Sequence, residues 1–306
     1  MRAPTPPTDQ IRLVEDLAAE LGDPLVDVQY GPYGLEWCSE AMLRLVAERS
    51  ALTGRRVHMH LLESPIERAY LDAAFPQGLL RFLDSIGLLS PRLSIAHAAH
   101  LRPDEMELLA ERDVAVSINT SSNLNLRNGL VPAAEMYRRR VRLVTGLDGF
   151  SVDDDDDALR ELRLNWMLHR GVGLEEGWPL PRLFESSTVP GREVLGGSRD
   201  AELAPGAAAD LLVLARDADD VLIPAEEPAL LVQRATRAQV RQLVVHGRDV
   251  VRDGALCGLD LTAARVELDA QVHINAPDAR AWREVARRYA EGLSAFYAAG
   301  LHRAGG

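Results

Sequence analysis

Short apolar runs and longer amphipathic stretches alternate along the first half of this chain. Five runs, Val26–Tyr30, Val57–Leu61, Leu93–His97, Val114–Ile118 and Arg142–Gly146, predict β-strands. Their starts lie 31, 36, 21 and 28 residues apart, and the gaps between them carry helix signals. Ser39 caps a pattern that repeats through Met42, Leu45 and Val46 and stops at Gly54. Ser64-Pro65-Ile66-Glu67 is a capping box with Pro at the first helical position. Pro103-Asp104-Glu105 opens another helix, the loop Asn119–Asn123 precedes one near Pro132–Arg140, and Asp153–Asp157 heads one that runs through Leu162 and Met167. Acids in a first helical turn complement the macrodipole, so the five-Asp run predicts a helix start rather than a metal site. Strands alternating with helices at this spacing predict right-handed βαβ units and a parallel sheet.

After about Gly173 the rhythm changes. A short helix ends over Arg192–Gly197, and Ala204-Pro205-Gly206 turns into a strand that reaches Leu214. Gln242–His246 and Val250–Arg252 predict a hairpin turning at Gly247-Arg248-Asp249, with a second turn at Asp253-Gly254. From Thr262 the pattern is helical, with Trp282 and Phe296-Tyr297 as docking aromatics. The expected organisation is a barrel-like α/β part over 1–200, a small β unit over 201–260 and a helical tail over 261–306.

Chemistry concentrates at the ends of the predicted strands. On Val57–Leu61, His58 and His60 share one face, and Glu63 lies just past the end, where the chain can turn back toward the site. His97 ends the next predicted strand, and Asp148 follows Val144-Thr145-Gly146-Leu147. Buried histidines often only hydrogen-bond in a core. Imidazole, imidazole and carboxylate at the carboxyl ends of successive parallel strands point instead to a metal-dependent hydrolase on a (β/α) barrel.

Composition narrows the choice. All 34 basic residues are Arg and none is Lys, which excludes Schiff-base chemistry, a P-loop lysine and a carbamylated-lysine metal bridge, and leaves a single ion as the economical expectation. The net charge of −12 argues against nucleic acid and anionic membranes as partners. No run approaches the ~18 apolar residues of a membrane span, and Met1–Pro7 lacks the apolar core of a signal peptide. Two cysteines, Cys38 and Cys257, make no disulfide framework, so the expected compartment is the cytoplasm.

Val57-His58-Met59-His60-Leu61-Leu62-Glu63-Ser64, Ala96-His97, the stretch Ser121–Pro132 and Gly146-Leu147-Asp148-Gly149 resemble, in order and spacing, the amidohydrolase superfamily. The resemblance is to its branch of cytosine deaminase, guanine deaminase and chlorotriazine hydrolase, and covers about Val26 to Leu259. Leu203-Ala204-Pro205-Gly206 with Ala209-Asp210-Leu211 resembles that family's re-entry into a β-sandwich. The resemblance implies His60 as metal ligand, Glu63 as proton shuttle, His97 as the residue on the substrate side and Asp148 as ligand and water activator. His58 and His100 match no family ligand.

The family's first-strand His-x-His has no counterpart upstream of Val26. The five predicted strands are therefore expected to be equivalents of the fourth to eighth, giving an incomplete (β/α)8 TIM-like barrel with a β-sandwich remnant and a helical tail. With His60 and Asp148 alone, one divalent ion, Zn2+ first and Fe2+ second, is expected to be weakly held. The expected function is metal-dependent hydrolysis of a non-peptide C–N bond, a deamination of a small nitrogen heterocycle such as a nucleobase, nucleoside or triazine. The alternative is a truncated, non-catalytic fragment or pseudoenzyme with a residual metal site. Exposed sheet edges would allow a homodimer or association through strands. Trp37 and Asn123 are the candidates for substrate contact, against plainer roles as a packed loop aromatic and a turn residue.

Overall fold

The strand that carries His58 and His60, β1 (Val57–Leu61), alternates buried Val57, Met59 and Leu61 with the two half-buried imidazoles. It pairs in parallel with β2 (Leu93–His97), β2 with β3 (Ala115–Ile118), and β3 with β4 (Arg142–Thr145), in sequence order. β2 and β3 are buried at every position, as expected for parallel strands covered on both faces. The computed structural model of the chain describes residues 5–23, 25–149, 155–198, 203–216 and 227–299. Asp153, Asp154, Ala201 and Glu202 lie outside them, as does the side chain of Tyr297.

The sequence predicted a fifth strand over Val26–Tyr30, and the structure corrects this. Only isolated parallel bridges, Tyr30 to Val57 and Gly34 to His60, join this segment to β1. Four residues advance on one side against three on the other, and Pro32, which has no N–H to donate, lies between the bridges. The segment still gives His58 N–H a partner in Tyr30 O at 2.9 Å and His60 N–H one in Tyr33 O at 3.0 Å.

Helices fill the connections: α1 (Pro7–Leu21), α2 (Glu40–Thr53), α3 (Pro65–Ala74), α4 (Leu79–Ser85), α5 (Pro103–Glu111), α6 (Thr120–Asn125) and α7 (Ala133–Arg138). Ser39 caps α2 by accepting from Met42 N–H, and Ser64 caps α3 by accepting from Glu67 N–H at 3.1 Å, as their sequences predict. The predicted loop Asn119–Asn123 is instead the start of α6, a helix built from turn-forming residues of which Thr120, Ser122 and Asn123 are buried. Past β4 come α8 (Ala158–His169), the small hairpin β5 (Gly171–Val172) and β6 (Glu175–Glu176), α9 (Leu180–Ser186) and α10 (Val189–Val194). Asp157 caps α8, accepting from Leu159 and Arg160 N–H, so the last acid of the run does what the macrodipole argument predicted.

Two compact units result, one of Met1–Ala208 with Arg216–Arg237 and one of Ala209–Ala215 with Ala238–Gly306. Helix α11 (Glu227–Arg234), which the sequence placed in the β unit, belongs to the first, where Leu230 and Val232 are buried. The second unit is an antiparallel sheet of β7 (Leu211–Leu214), β8 (Val240–Val245), β9 (Arg248–Arg252) and β10 (Ala255–Leu256), followed by α12 (Leu261–Ala298). The β8–β9 turn is at His246-Gly247, starting one residue before the predicted turn, with φ of 49° and 77°, the double positive φ of a type I′ turn. Trp282, predicted to dock, is 70% exposed. No helix among the described residues is long and apolar enough to cross a membrane.

One buried base lies where α8 meets α6. His169 on α8 is 3% exposed, and its Nε2 is 3.3 Å from Thr120 Oγ1 on α6. Burial pushes its pKa down from 6.5 to about 4. The folded chain thus keeps this imidazole neutral while the unfolded chain protonates it below 6.5. Its contribution to stability is full above pH 6.5 and is lost as pH falls toward 4, in total on the order of 3 kcal/mol. Denaturation measured at pH 7.5 and 4.5 should show His169→Gln with a flatter pH dependence than the parent. Superimposable profiles would refute a buried neutral imidazole.

Candidate active site

The site forms where β1, β2 and β4 end. His60 is the penultimate residue of β1, and its Nδ1 is 2.7 Å from Tyr33 O. A carbonyl can only accept, so Nδ1 carries the proton and Nε2 presents a lone pair. Beyond Leu61 the backbone turns sharply, with Leu62 at φ 56°. The carboxylate of Glu67, one turn into α3, accepts the N–H groups of Leu62 and Glu63 at 2.6 Å each and so holds this turn. Burial first, and then the neighbouring Glu36 carboxylate, push Glu67 above the ordinary carboxyl range, while the backbone N–H groups pull it back.

His97 shows why a strand rule alone does not place a side chain. Its partner in the ladder is Leu61, and the alternation of the pleat would turn it away from the face that His60 shares with Ala96. His97 has φ 72° and Ala98 φ 52°, and this left-handed pair breaks the alternation at the strand end. The His97 ring stacks on His60, centroids 5.4 Å apart and planes at 18°. Its Nδ1 lies 2.9 Å from Asn123 Oδ1, which leaves Nε2 as a second lone pair.

Asp148 reaches the same place from beyond β4. Gly146 makes this passage possible: a Cβ there would come within 2.3 Å of both Asn119 Oδ1 and Ser117 Oγ. Asp148 itself has φ 69°, and its Oδ2 accepts the Ser122 hydroxyl at 2.5 Å while Oδ1 accepts Gly149 N–H at 2.8 Å. Three intervals between strands span about 14 Å in a flat sheet. The donor atoms of His60, His97 and Asp148 nevertheless lie within 4.8 Å of one another. Sheet curvature and the Gly146–Asp148 extension close that distance.

Glu63 completes the cluster. Its Oε1 is 3.9 Å from His97 Nε2, the same distance that separates His97 Nε2 from Asp148 Oδ2, and it accepts the Asn128 side-chain amide at 2.7 Å. Two imidazole lone pairs and a carboxylate are a donor set suited to a divalent cation such as zinc. The sequence counted His60 and Asp148 as ligands, and the structure brings His97 within ligand distance as a third.

Of the other predicted residues, Asn123 is buried against His97 rather than open to a ligand, and Trp37 is 72% exposed, edge-on to Tyr33 at 5.8 Å. His58 bonds Ser94 Oγ at 2.7 Å, and burial, then the His60 and His97 charges, lower its pKa. His100 bonds Asn128 O at 2.8 Å. Sequence reasoning missed Tyr33, whose ring lies 4.8 Å from that of His60, and also Ser122, Asn128 and Glu67. Ser122 and Asn128 sat inside the quoted Ser121–Pro132 stretch, but a turn-like composition gave no reason to aim them at the site.

Residues 5–250 match the amidohydrolase family, and the chain belongs to it. A 5'-deoxyadenosine deaminase of Methanothermobacter thermautotrophicus is 32% identical over 239 residues, covering 77% of this chain and 55% of that protein. The crystal structure of an adenosine deaminase from Xanthomonas campestris with bound zinc superposes with a TM-score of 0.79 at 27% identity, covering 88% of this chain and 62% of the other. A zinc complex of atrazine chlorohydrolase from Arthrobacter aurescens shares the fold, with a TM-score of 0.76 at 24% identity over 87% of this chain and 60% of that one. The chain thus spans about half the length of the curated relatives it matches.

Titration of the metal-free protein with Zn2+ or Co2+ should show one ion per chain. His60→Ala and Asp148→Ala should each weaken binding by at least about a hundredfold, since even outer partners of a metal ligand contribute tenfold to a hundredfold. His58→Ala should leave affinity unchanged. Equal losses from His58→Ala and His60→Ala would refute the assignment.

Proposed function

We propose that the chain carries the catalytic strand ends of a metal-dependent deaminase acting on an aminopurine nucleoside. The observation that carries this reading is the convergence of two imidazole lone pairs, the Asp148 carboxylate and the amide-held Glu63 carboxylate. The adenosine-type substrates named for the relatives direct the choice of heterocycle. His60, His97 and Asp148 would hold one ion, Zn2+ by the precedent of the zinc-containing neighbours. A divalent ion supplies Lewis acidity that brings the acidity of a coordinated water toward neutrality. The four strands would be the closing part of a (β/α)8 barrel, as their order in the family pattern implies, with the antiparallel unit as the sandwich portion.

The chain's own groups account for the proton movements. Water adds to the amino-bearing ring carbon, the C–N bond breaks, and ammonia leaves an oxo group on the ring. Glu63 takes the proton that the water loses and returns it to the nitrogen side, the work of a positioned carboxylate. Asp148 accepts hydrogen bonds on both oxygens, which fixes its carboxylate beside the reacting centre. His97, stacked on His60, forms the wall facing the ring. Tyr33, 63% exposed, offers an aromatic face next to His60 for a flat heterocycle, with Trp37 standing edge-on to it.

The test is ammonia release from adenosine and 5'-deoxyadenosine by the zinc-loaded protein. Glu63→Gln should lower kcat by about a hundredfold or more while zinc content stays stoichiometric. A protein that holds zinc but releases no ammonia from either nucleoside would favour the non-catalytic alternative. Near-parental rates in Glu63→Gln would remove Glu63 from proton transfer.

A further inference from the structure

We infer that the seven-residue segment Ser122–Asn128 is a positioning clamp for the candidate site, holding one side chain from each of three strand ends. The inference rests on the proposed function for its catalytic consequences, but not for its geometry. Ser122 Oγ–H donates to Asp148 Oδ2 at 2.5 Å. Asn123 Oδ1 faces His97 Nδ1 at 2.9 Å. Asn128 Nδ2 donates to Glu63 Oε1 at 2.7 Å. These partners follow β4, end β2 and follow β1 respectively, so one short segment ties together elements far apart in sequence.

A buried hydroxyl or amide needs a hydrogen-bond partner in any protein, and core satisfaction is the plain explanation for each contact alone. Taken together the contacts go beyond it. Most side-chain hydrogen bonds run to backbone or water, and only about 10–15% of all protein hydrogen bonds join two side chains. Here the Ser122, Asn123 and Asn128 bonds all run to side chains, and all three targets belong to one cluster. Ser122 and Asn123 are 0% and 1% exposed, so the chain buries two polar groups where an apolar helix face would pack at lower cost.

The segment is itself held from behind. Thr120 Oγ1 donates to Asn165 Oδ1 at 2.5 Å, and Ser121 N–H donates to Glu161 Oε1 at 3.0 Å, which ties the first turn of α6 to α8. Asn128 is fixed through its backbone: its N–H donates to Asn123 O at 2.8 Å and its O accepts from His100 Nε2 at 2.8 Å. Each grip has a distinct chemical effect. The Ser122 hydroxyl fixes the Asp148 rotamer and draws charge from one oxygen. The Asn123 carbonyl selects the His97 tautomer with Nε2 unprotonated. The Asn128 amide occupies one Glu63 oxygen and leaves the other for a proton. Ser122, Asn123 and Asn128 are therefore positioning residues, acting on groups they do not replace.

Cobalt reports on this directly, because its visible absorption follows ligand geometry independently of turnover. Ser122→Ala and Asn123→Ala should weaken Co2+ binding on the order of tenfold to a hundredfold and shift its visible band. Ser50→Ala, which removes a buried hydroxyl bonded to Arg55 O outside the segment, should lower the unfolding midpoint and leave both readouts unchanged. If Ser122→Ala does not fold, Ser122→Cys, of similar volume with a weak donor, carries the same expectation. Asn128→Ala should retain the Co2+ band and affinity, and lower kcat at unchanged KM. Folded Ser122 and Asn123 variants with parental affinity and band would overturn the clamp. Failure of the parental protein to release ammonia would overturn the deaminase reading alone, because the cobalt readouts do not depend on it.

Discussion

A parallel β-sheet aligns the carboxyl ends of its strands along one edge, and every side chain of the candidate site projects from that edge. β1, β2 and β4 stop within a few residues of His60, Glu63, His97 and Asp148. Stopping is not enough, because the pleat directs side chains by parity and the family's spacing does not. The backbone resolves the conflict with left-handed residues at Leu62, His97, Ala98 and Asp148, none of them glycine. Such conformations cost on the order of 1–3 kcal/mol each and persist only where surroundings impose them. Here the surroundings are visible. Glu67 receives the N–H groups around Leu62, Asn123 holds His97, and Ser122 and Gly149 hold Asp148.

The same contacts fix which ring nitrogen of each imidazole points into the cluster. Neutral imidazoles with Nε2 free need a hydrogen-bond acceptor at Nδ1, and His60 and His97 have one each, a backbone carbonyl and an amide oxygen. His58 shows the contrast one strand position pair away. It shares the face of His60, but it bonds Ser94, is desolvated, and stays outside the donor cluster. A His-x-His on a strand is thus not by itself a metal pair, and the partner of the second ring nitrogen decides which imidazole faces the site.

The family and a good part of the site were legible in the sequence because both are written in local chemistry. Apolar runs at β-spacing, Pro and Ser at helix starts, and an Asp run before an amphipathic stretch each have a meaning within a few residues. So do His60, Glu63, His97 and Asp148, whose types and strand-end positions the structure brings together as expected. The fifth strand failed for a reason that is local but weak: one proline and one extra residue break a ladder that the apolar pattern of Val26–Tyr30 could not reveal.

What the sequence determined by itself, then, was the parallel βαβ order and the residue types that stand at the strand ends. What only the tertiary structure decided was their direction and their company. His97 turns toward His60 because two residues adopt positive φ, and Asn123 and Ser122 face the site because α6 is pinned to α8. Asn128 reaches Glu63 across 65 positions of chain. Contacts of that range depend on how strands and helices pack, and a polar residue in a turn-like stretch carries no local mark of which distant group it will meet.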